Sequence, residues 1–252
     1  MIDSHIHGDS RSYENYQDMN ISGIDKAITC AYYPYYIDDS SVLLNHFKRI
    51  LYYETERAKK AGLYLHVALG LHPANILKSY EDILKEVENL AINKKIIAIG
   101  EIGLENNREI EIEIFKEQLH IADNTKTPVI IHTPRKNKLE ILHSIKEIVL
   151  ENIDPRLVVI DHINNSVVNE VIDEEFTLGL TVQPEKMETI EAVDILRKYG
   201  FNKFMLNSDV SYMPSDILSV PKTVQKLRMN NFKQKDIEKV SKENAKKFFN
   251  IK

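Results

Sequence analysis

Residues 1–8 read Met1-Ile2-Asp3-Ser4-His5-Ile6-His7-Gly8, and this short stretch decides how the rest of the chain is read. Side chains alternate between the two faces of a strand, so His5 and His7 share one face, with Asp3 one layer deeper on the same side. Gly8 follows at once, which puts both imidazoles at the C-terminal end of the strand. In a barrel of parallel strands that end carries the chemistry.

The same arrangement recurs four times. Glu101 closes Ile-Ile-Ala-Ile-Gly-Glu, His132 closes Pro-Val-Ile-Ile-His, His162 closes Val-Val-Ile-Asp-His and Asp209 closes Phe-Met-Leu-Asn-Ser-Asp. Each is a polar residue ending an apolar run. The run at 176–182 is passed over, with no such residue at its end.

These runs belong to a wider alternation of strands and helices. Strands are expected at Ile2–His7, Ala27–Tyr32, Leu63–Leu71, Ile96–Ile102, Pro128–His132, Leu157–Ile163, Phe176–Val182 and Lys203–Ser208. Between them stand runs of helical period, at Val42–Ala61, Tyr80–Ala91, Ile114–Ala122, Leu139–Leu150, Ile190–Tyr199, Ile217–Met229 and Asp236–Phe249. Gly8–Ser22 reads as too polar and too short for a full covering helix, so an irregular first unit is expected. Near-continuous apolar strands separated by helices imply a parallel sheet covered by helices. Eight such units favour an α/β single-domain (β/α)8 TIM barrel over 1–252 rather than an open doubly wound sheet, with a metal site at the C-terminal mouth of the strands.

Composition sets the outer limits. Of 252 residues, 43% are hydrophobic and 28% charged, enough apolar material for a large core and unlike a disordered or fibrous chain. The one cysteine, Cys30, excludes a disulfide within the monomer and any zinc site built on paired cysteines, so it points to a reducing compartment, the cytoplasm. No leader pattern opens the sequence and no apolar run approaches the ~20 residues of a membrane span. A net charge of -5 argues against holding a polyanion by global attraction, leaving only a local basic patch for that purpose. Glycine-rich phosphate cradles and the Gly-x-Ser-x-Gly elbow do not occur.

Four imidazoles (His5, His7, His132, His162) and two carboxylates (Glu101, Asp209) suffice for two divalent ions with one carboxylate bridging. The mixed nitrogen and oxygen set suits Zn or Mn better than Ca, with Mg also admitted.

The residues also carry a resemblance. Asp3-x-His5-x-His7, Gly70-Leu71-His72-Pro73, Glu101-Ile-Gly-Leu104, Phe115-x-x-Gln118-Leu-x-x-Ala122 leading to Pro128-Val-Ile-Ile-His132, then His162, Ser208-Asp209 and Glu243-Asn244-Ala245 together resemble the TatD family over almost the whole chain. Thr133-Pro134-Arg135 and Asp161-His162-Ile163-Asn164 are similar to its archaeal branch. The resemblance implies a barrel hydrolase of the amidohydrolase superfamily with two divalent metals, acting in many members as a deoxyribonuclease. By position it implies that His5 and His7 hold one metal and His132 and His162 the other. Glu101 would bridge them, and Asp209 would bind the first and take a proton from the attacking water. Glu105, Thr133-Pro134 and Val210-Ser211 depart from the family pattern around the substrate, not among the ligands.

Other residues divide between substrate and scaffold. His72, just past the third strand, is expected to touch substrate. So is Arg135, with Lys136 and Lys138 beside it as a basic cluster for phosphate. Asp3 is open between orienting a ligand and holding structure. Tyr32-Tyr33-Pro34-Tyr35-Tyr36 is open between stacking bases and packing on the rim. His46, His66, His120 and His143 are expected to be structural, and Cys30 a small buried hydrophobe.

The leading functional expectation is a two-metal phosphodiesterase acting on DNA or a nucleotide-like ester, with Asp209 and Glu101 as its catalytic carboxylates. Hydrolysis of a carbonyl substrate such as a lactone, amide or aminoacyl ester is the alternative. A non-catalytic barrel that binds nucleic acid or protein is disfavoured by the intact set of six ligands.

Overall fold

The computed structural model describes residues 1–252. Eight parallel strands run through it: β1 Ile2–Ile6, β2 Lys26–Cys30, β3 Tyr64–Ala68, β4 Ile99–Gly103, β5 Val129–His132, β6 Val158–Ile160, β7 Thr177–Thr181 and β8 Phe204–Asn207. β1 to β3 pair in order, as do β4 to β8. Backbone bonds close the two remaining junctions. Between β3 and β4, Ile97 N donates to Val67 O (2.9 Å) and Leu69 N to Ala98 O (3.3 Å). Between β8 and β1, Asp209 N donates to His5 O (2.9 Å) and His7 N to Val210 O (2.8 Å). The result is the expected (β/α)8 barrel, and the bonds that shut it lie among the predicted ligands.

The helices are α1 Tyr13–Ile21, α2 Ser40–Lys48, α3 Thr55–Lys60, α4 Glu81–Ile92, α5 Glu109–Thr125, α6 Lys138–Asn152, α7 Thr189–Tyr199, α8 Ser219–Met229, α9 Gln234–Glu238 and α10 Asn244–Phe248. The expectation for Gly8–Ser22 needs correction, because α1 does form there. Ser12 caps it by accepting from Asn15 N (3.2 Å), and two inward residues, Tyr16 and Met19, are fully buried. Two anchors one turn apart are enough to dock a nine-residue helix, even though its average composition is polar.

The run expected as one helix over Val42–Ala61 is interrupted by a wider turn at Arg49–Glu54. The buried Glu54 carboxylate lies there between Arg49 (Nε to Oε1, 3.0 Å) and Arg57 (Nε to Oε2, 2.7 Å). The same two guanidinium groups donate to the carbonyls of Asp9 and Arg11. The loop after β1 is thereby tied to the helical layer.

Most of the core lies between strands and helices, one large cluster that includes Ile6, Phe47, Phe115, Leu142 and Phe204. A smaller one fills the barrel itself: Ile2, Ile28, Cys30, Ala68, Ala98, Ile130, Val159 and Met205, met by Ala245, Phe249 and Ile251 of the C-terminal segment. That segment plugs the end of the barrel where the strands start. Cys30 sits in this filling as the small buried hydrophobe expected of it. The polar residues are left to the opposite end. No helix is long and apolar enough to cross a membrane.

Candidate metal centre

The two strands that bear the first candidate ligands are both irregular. Pairing slips between Asp3 and Ile6 in β1 and between Gly100 and Ile102 in β4, and such slips re-aim side chains. Two further candidate ligands stand just past their strands in left-handed backbone, His162 with φ 60° and Asp209 with φ 45°. Strain of this kind in non-glycine residues is held in place by the surroundings. All six predicted residues come together at the C-terminal mouth, and all but the slightly more open His132 are buried.

Glu101 is the centre of the set. Its Oε2 lies 3.2 Å from His5 Nε2 and 3.3 Å from His7 Nε2, and its Oε1 lies 3.4 Å from His132 Nδ1 and 3.2 Å from His162 Nε2. One carboxylate oxygen therefore faces each pair of imidazoles. Asp209 Oδ1 stands 3.1 Å from His7 Nε2 and 3.8 Å from His5 Nε2, on the His5/His7 side only.

Hydrogen bonds on the far side of each ring fix which nitrogen carries the proton in the neutral imidazole. His7 Nδ1 must donate to the Cys30 carbonyl (3.0 Å). His5 Nδ1 donates to Asp161 Oδ2 (2.6 Å), and His132 Nε2 to Glu105 Oε2 (2.9 Å). His162 Nδ1 donates to Thr181 Oγ1 (2.7 Å), whose own hydroxyl donates to Asp161 Oδ1 (3.3 Å). When neutral, each of the four rings is left with a bare nitrogen turned toward Glu101, and only the protonated ring donates there. The buried His5 Nε2 has no hydrogen-bond partner in the protein, and an unpartnered buried acceptor beside two carboxylates is what a metal-ligand set leaves when only its protein atoms are counted. The donor atoms of His5, His7 and Asp209 lie within 4.8 Å of one another, as do those of His5, Glu101 and His162.

The charges respond to this crowding. Burial works against the ionised form of Glu101, but His5 and the hydrogen bonds from the other imidazoles win and hold it well below the usual carboxylate range. Asp209 is likewise held low against burial, chiefly by Lys186. Burial would lower the His7 pKa, yet the hydrogen bonds to Asp209 and Glu101 carry it up to about 9. Burial and the Lys186 charge push His162 down to about 4.

Asp161, which the sequence offers only as part of the segment similar to the archaeal branch, supports both halves of the set. Besides His5 and Thr181 it accepts from Asn207 Nδ2 (2.8 Å) and His162 N (2.8 Å). Room for it is made by Gly179 on β7, where a Cβ would lie 1.9 Å from Asp161 Oδ1. Asp3 resolves as structural: it accepts from the backbone and hydroxyl of Ser208 and so holds β1 to β8, without touching an imidazole ring.

His72 differs from the other four. Its Nδ1 accepts from Ala74 N (3.0 Å), so the neutral ring carries its proton on Nε2. Burial and the neighbouring His132 hold its pKa well below normal, so neutral is its state. Its donor atoms also fall within 4.8 Å of those of Glu101 and His132, but the ring offers that space an N–H and not a lone pair.

Above the ligands opens a cavity of about 610 Å³. Tyr32, Tyr212 and Met213 line one side and Arg135, Lys136 and Lys186 another. Of the tyrosine run only Tyr32 faces this space, its ring 6.0 Å from that of Tyr212. Tyr33 packs on His46, while Tyr35 and Tyr36 are exposed. The basic cluster also divides. Arg135 and Lys136 stay at the rim, but Lys138 turns inward, where it donates to Thr133 Oγ1 (2.7 Å), to Thr133 O (3.5 Å) and to His162 O (3.0 Å). Lys186, which sequence reasoning passed over, lies on the turn after β7 and reaches Asp209 Oδ2. His143 pairs with Glu170 on the surface, and His66 is within β3.

Comparison with known proteins agrees with this fold. The family model for TatD related DNase matches residues 2–250. An uncharacterized metal-dependent hydrolase of Methanocaldococcus jannaschii is 41% identical over 256 residues, covering 100% of both chains. The crystal structure of a TatD-like protein from Archaeoglobus fulgidus superposes with a TM-score of 0.86 at 31% identity, again over 100% of both chains. An Escherichia coli phosphotriesterase homology protein, solved with phosphate in its active site, has a TM-score of 0.71 at 15% identity over 98% of each chain, and so shares the fold.

Proposed function

The chain belongs to the TatD-related DNase family, and from that premise we propose that this metal-dependent hydrolase is a phosphodiesterase acting on DNA or a nucleotide-like ester through two divalent ions. One observation carries the reading: four imidazoles present bare nitrogens to the two oxygens of Glu101, while a fifth, His72, presents a donor. In this reading His5, His7 and Asp209 would hold one ion and His132 and His162 the other, with Glu101 available to both. Ions so held supply polarisation of a phosphoryl group and a water pKa lowered toward ~7.

The protein's own groups do the rest. Asp209 accepts the proton of the attacking water on its carboxylate, whose Oδ1 is turned to His7 and whose Oδ2 is met by Lys186. The His72 Nε2–H donates to a phosphoryl oxygen, as a neutral ring beside three other imidazoles can do without adding charge. Arg135, half exposed at the rim, attracts the anion as it approaches. Glu105 and Asp161 keep the ligand tautomers fixed, so the donor geometry is preorganised. The set of nitrogens and carboxylates suits Zn or Mn, with Mg also admitted.

The test is a substrate panel on protein of measured ion content: single-stranded oligonucleotide, bis(p-nitrophenyl) phosphate, a phosphomonoester, a lactone and a peptide. Turnover of the diesters well above the others supports the proposal. Efficient turnover of the lactone with inert diesters transfers the same centre to a carbonyl substrate and refutes it.

A further inference from the structure

The mouth holds several cations, and their hydrogen bonds distinguish them. All three N–H bonds of Lys138 have acceptors within the protein, namely Thr133 Oγ1, Thr133 O and His162 O. Arg135 comes no closer to a carboxylate than 3.7 Å from Glu185 and is half exposed. Lys186 has one protein acceptor, Asp209 Oδ2, and its side chain is 15% exposed. Two of its three N–H bonds are therefore left for the cavity it lines. Withdrawing an ammonium this far from water is unfavourable unless its donors find acceptors.

The segment that carries Lys186 is built to hold it there. Gln183 and Met187 exchange backbone bonds (3.2 and 3.1 Å), and Lys186 N donates to Gln183 O (3.0 Å). Glu185 takes a left-handed φ of 67° within the turn. Gln183 Nε2 donates to the Asp209 carbonyl (2.6 Å), so the turn is keyed to Asp209 through both backbone and side chain. Its ammonium is thus fixed over the oxygen of Asp209 that faces away from His7.

We infer that Lys186 is a substrate-contacting residue that donates to a non-bridging oxygen of the phosphoryl group undergoing attack, a role the sequence assigns to the cluster of Arg135, Lys136 and Lys138. The inference rests on the phosphodiester reading above. An ammonium beside Asp209, part-buried and with donors to spare, favours an anionic substrate over a neutral one, because only an anion gains from its charge. Lys186 so acts on substrate choice as well as on binding.

The experiment uses ion-loaded protein with Lys186→Met and Lys186→Arg. Binding of inorganic phosphate is followed by calorimetry, and hydrolysis of bis(p-nitrophenyl) phosphate is compared with that of p-nitrophenyl acetate. Lys186→Met is expected to weaken phosphate binding tenfold or more, to raise KM for the diester more than it lowers kcat, and to cut the diester-to-acetate ratio of kcat/KM at least tenfold. Lys186→Arg should recover most of the phosphate affinity. Unchanged phosphate affinity in Lys186→Met overturns the inference. So does loss of bound ions in both variants, which would make Lys186 a support for Asp209. A wild-type protein that cleaves no diester refutes the preceding proposal instead, and phosphate binding still decides the case of Lys186.

Discussion

Asp161→Asn probes the centre without touching a candidate ligand. Both oxygens of Asp161 accept: Oδ2 from His5 Nδ1, and Oδ1 from Asn207, Thr181 and the His162 backbone. Asparagine must place its NH2 at one of these positions. At Oδ1 it would face three donors and at Oδ2 one, so it turns toward His5. His5 Nδ1 then has to become the acceptor, which moves the ring proton to Nε2, the nitrogen that faces Glu101. A hydrogen bond to a charged group contributes ~1.5–3 kcal/mol. At ~1.4 kcal/mol per tenfold this corresponds to one to two orders of magnitude in affinity, in line with the ~10–100-fold typical of partners behind metal ligands.

The expected result is one ion weakened by that factor and the second, near His132 and His162, within a few-fold of wild type, because the chain from His162 through Thr181 to Oδ1 survives. Competition against a chromophoric chelator measures both affinities, with thermal melting to confirm that the barrel is intact. Two ions bound with wild-type affinity by a folded Asp161→Asn protein would refute the tautomer reasoning.

Three further outcomes follow from the same geometry. Asp209→Asn, at matched ion occupancy, should lower kcat ~10²-fold or more while KM changes little, if Asp209 is the general base; steady-state kinetics on a diester checks it. Chelator-treated protein should melt at progressively lower temperature from pH 6.5 to pH 9. The His7 pKa is raised to about 9 in the fold, so its contribution is full below the unfolded value and is lost as pH rises through 9. With ions bound that trend should reverse, since the ligands then bind deprotonated; a flat melting profile without ions would contradict the His7 assignment. Gln118→Ala should cost about 2–4 kcal/mol in denaturant unfolding, because it strips Leu71 N and O, beside His72, of buried hydrogen bonds of 2.7 and 3.1 Å.

The architecture was legible because each candidate ligand closes an apolar strand, a pattern that needs no knowledge of packing. What escaped the sequence did so where the backbone leaves its regular period. Alternation places Asp161 and His162 on opposite faces, but the left-handed φ of His162 turns both toward the mouth. Lys186 stood behind a strand that ends in no candidate ligand, and the turn that returns it to the site depends on Gln183 and Glu185. Basic residues near His132 looked equivalent in the sequence, yet the start of α6 rotates Lys138 inward beneath His162 while Arg135 remains in water. Tyr32 and Tyr33 are neighbours, and only the direction of the chain after β2 decides that Tyr32 meets the cavity.

The junction of β8 with β1 joins residues from opposite ends of the polypeptide: His5 and His7 on one side, Ser208 and Asp209 on the other. During synthesis His5 and His7 are made with β1 and wait through six further strands before β8 brings Asp209. A nascent or truncated polypeptide that stops before β8 has no Asp209, no seam and no complete centre. The six candidate ligands are therefore assembled only with the finished ring, whose eighth strand brings Asp209 to the site opened by the first.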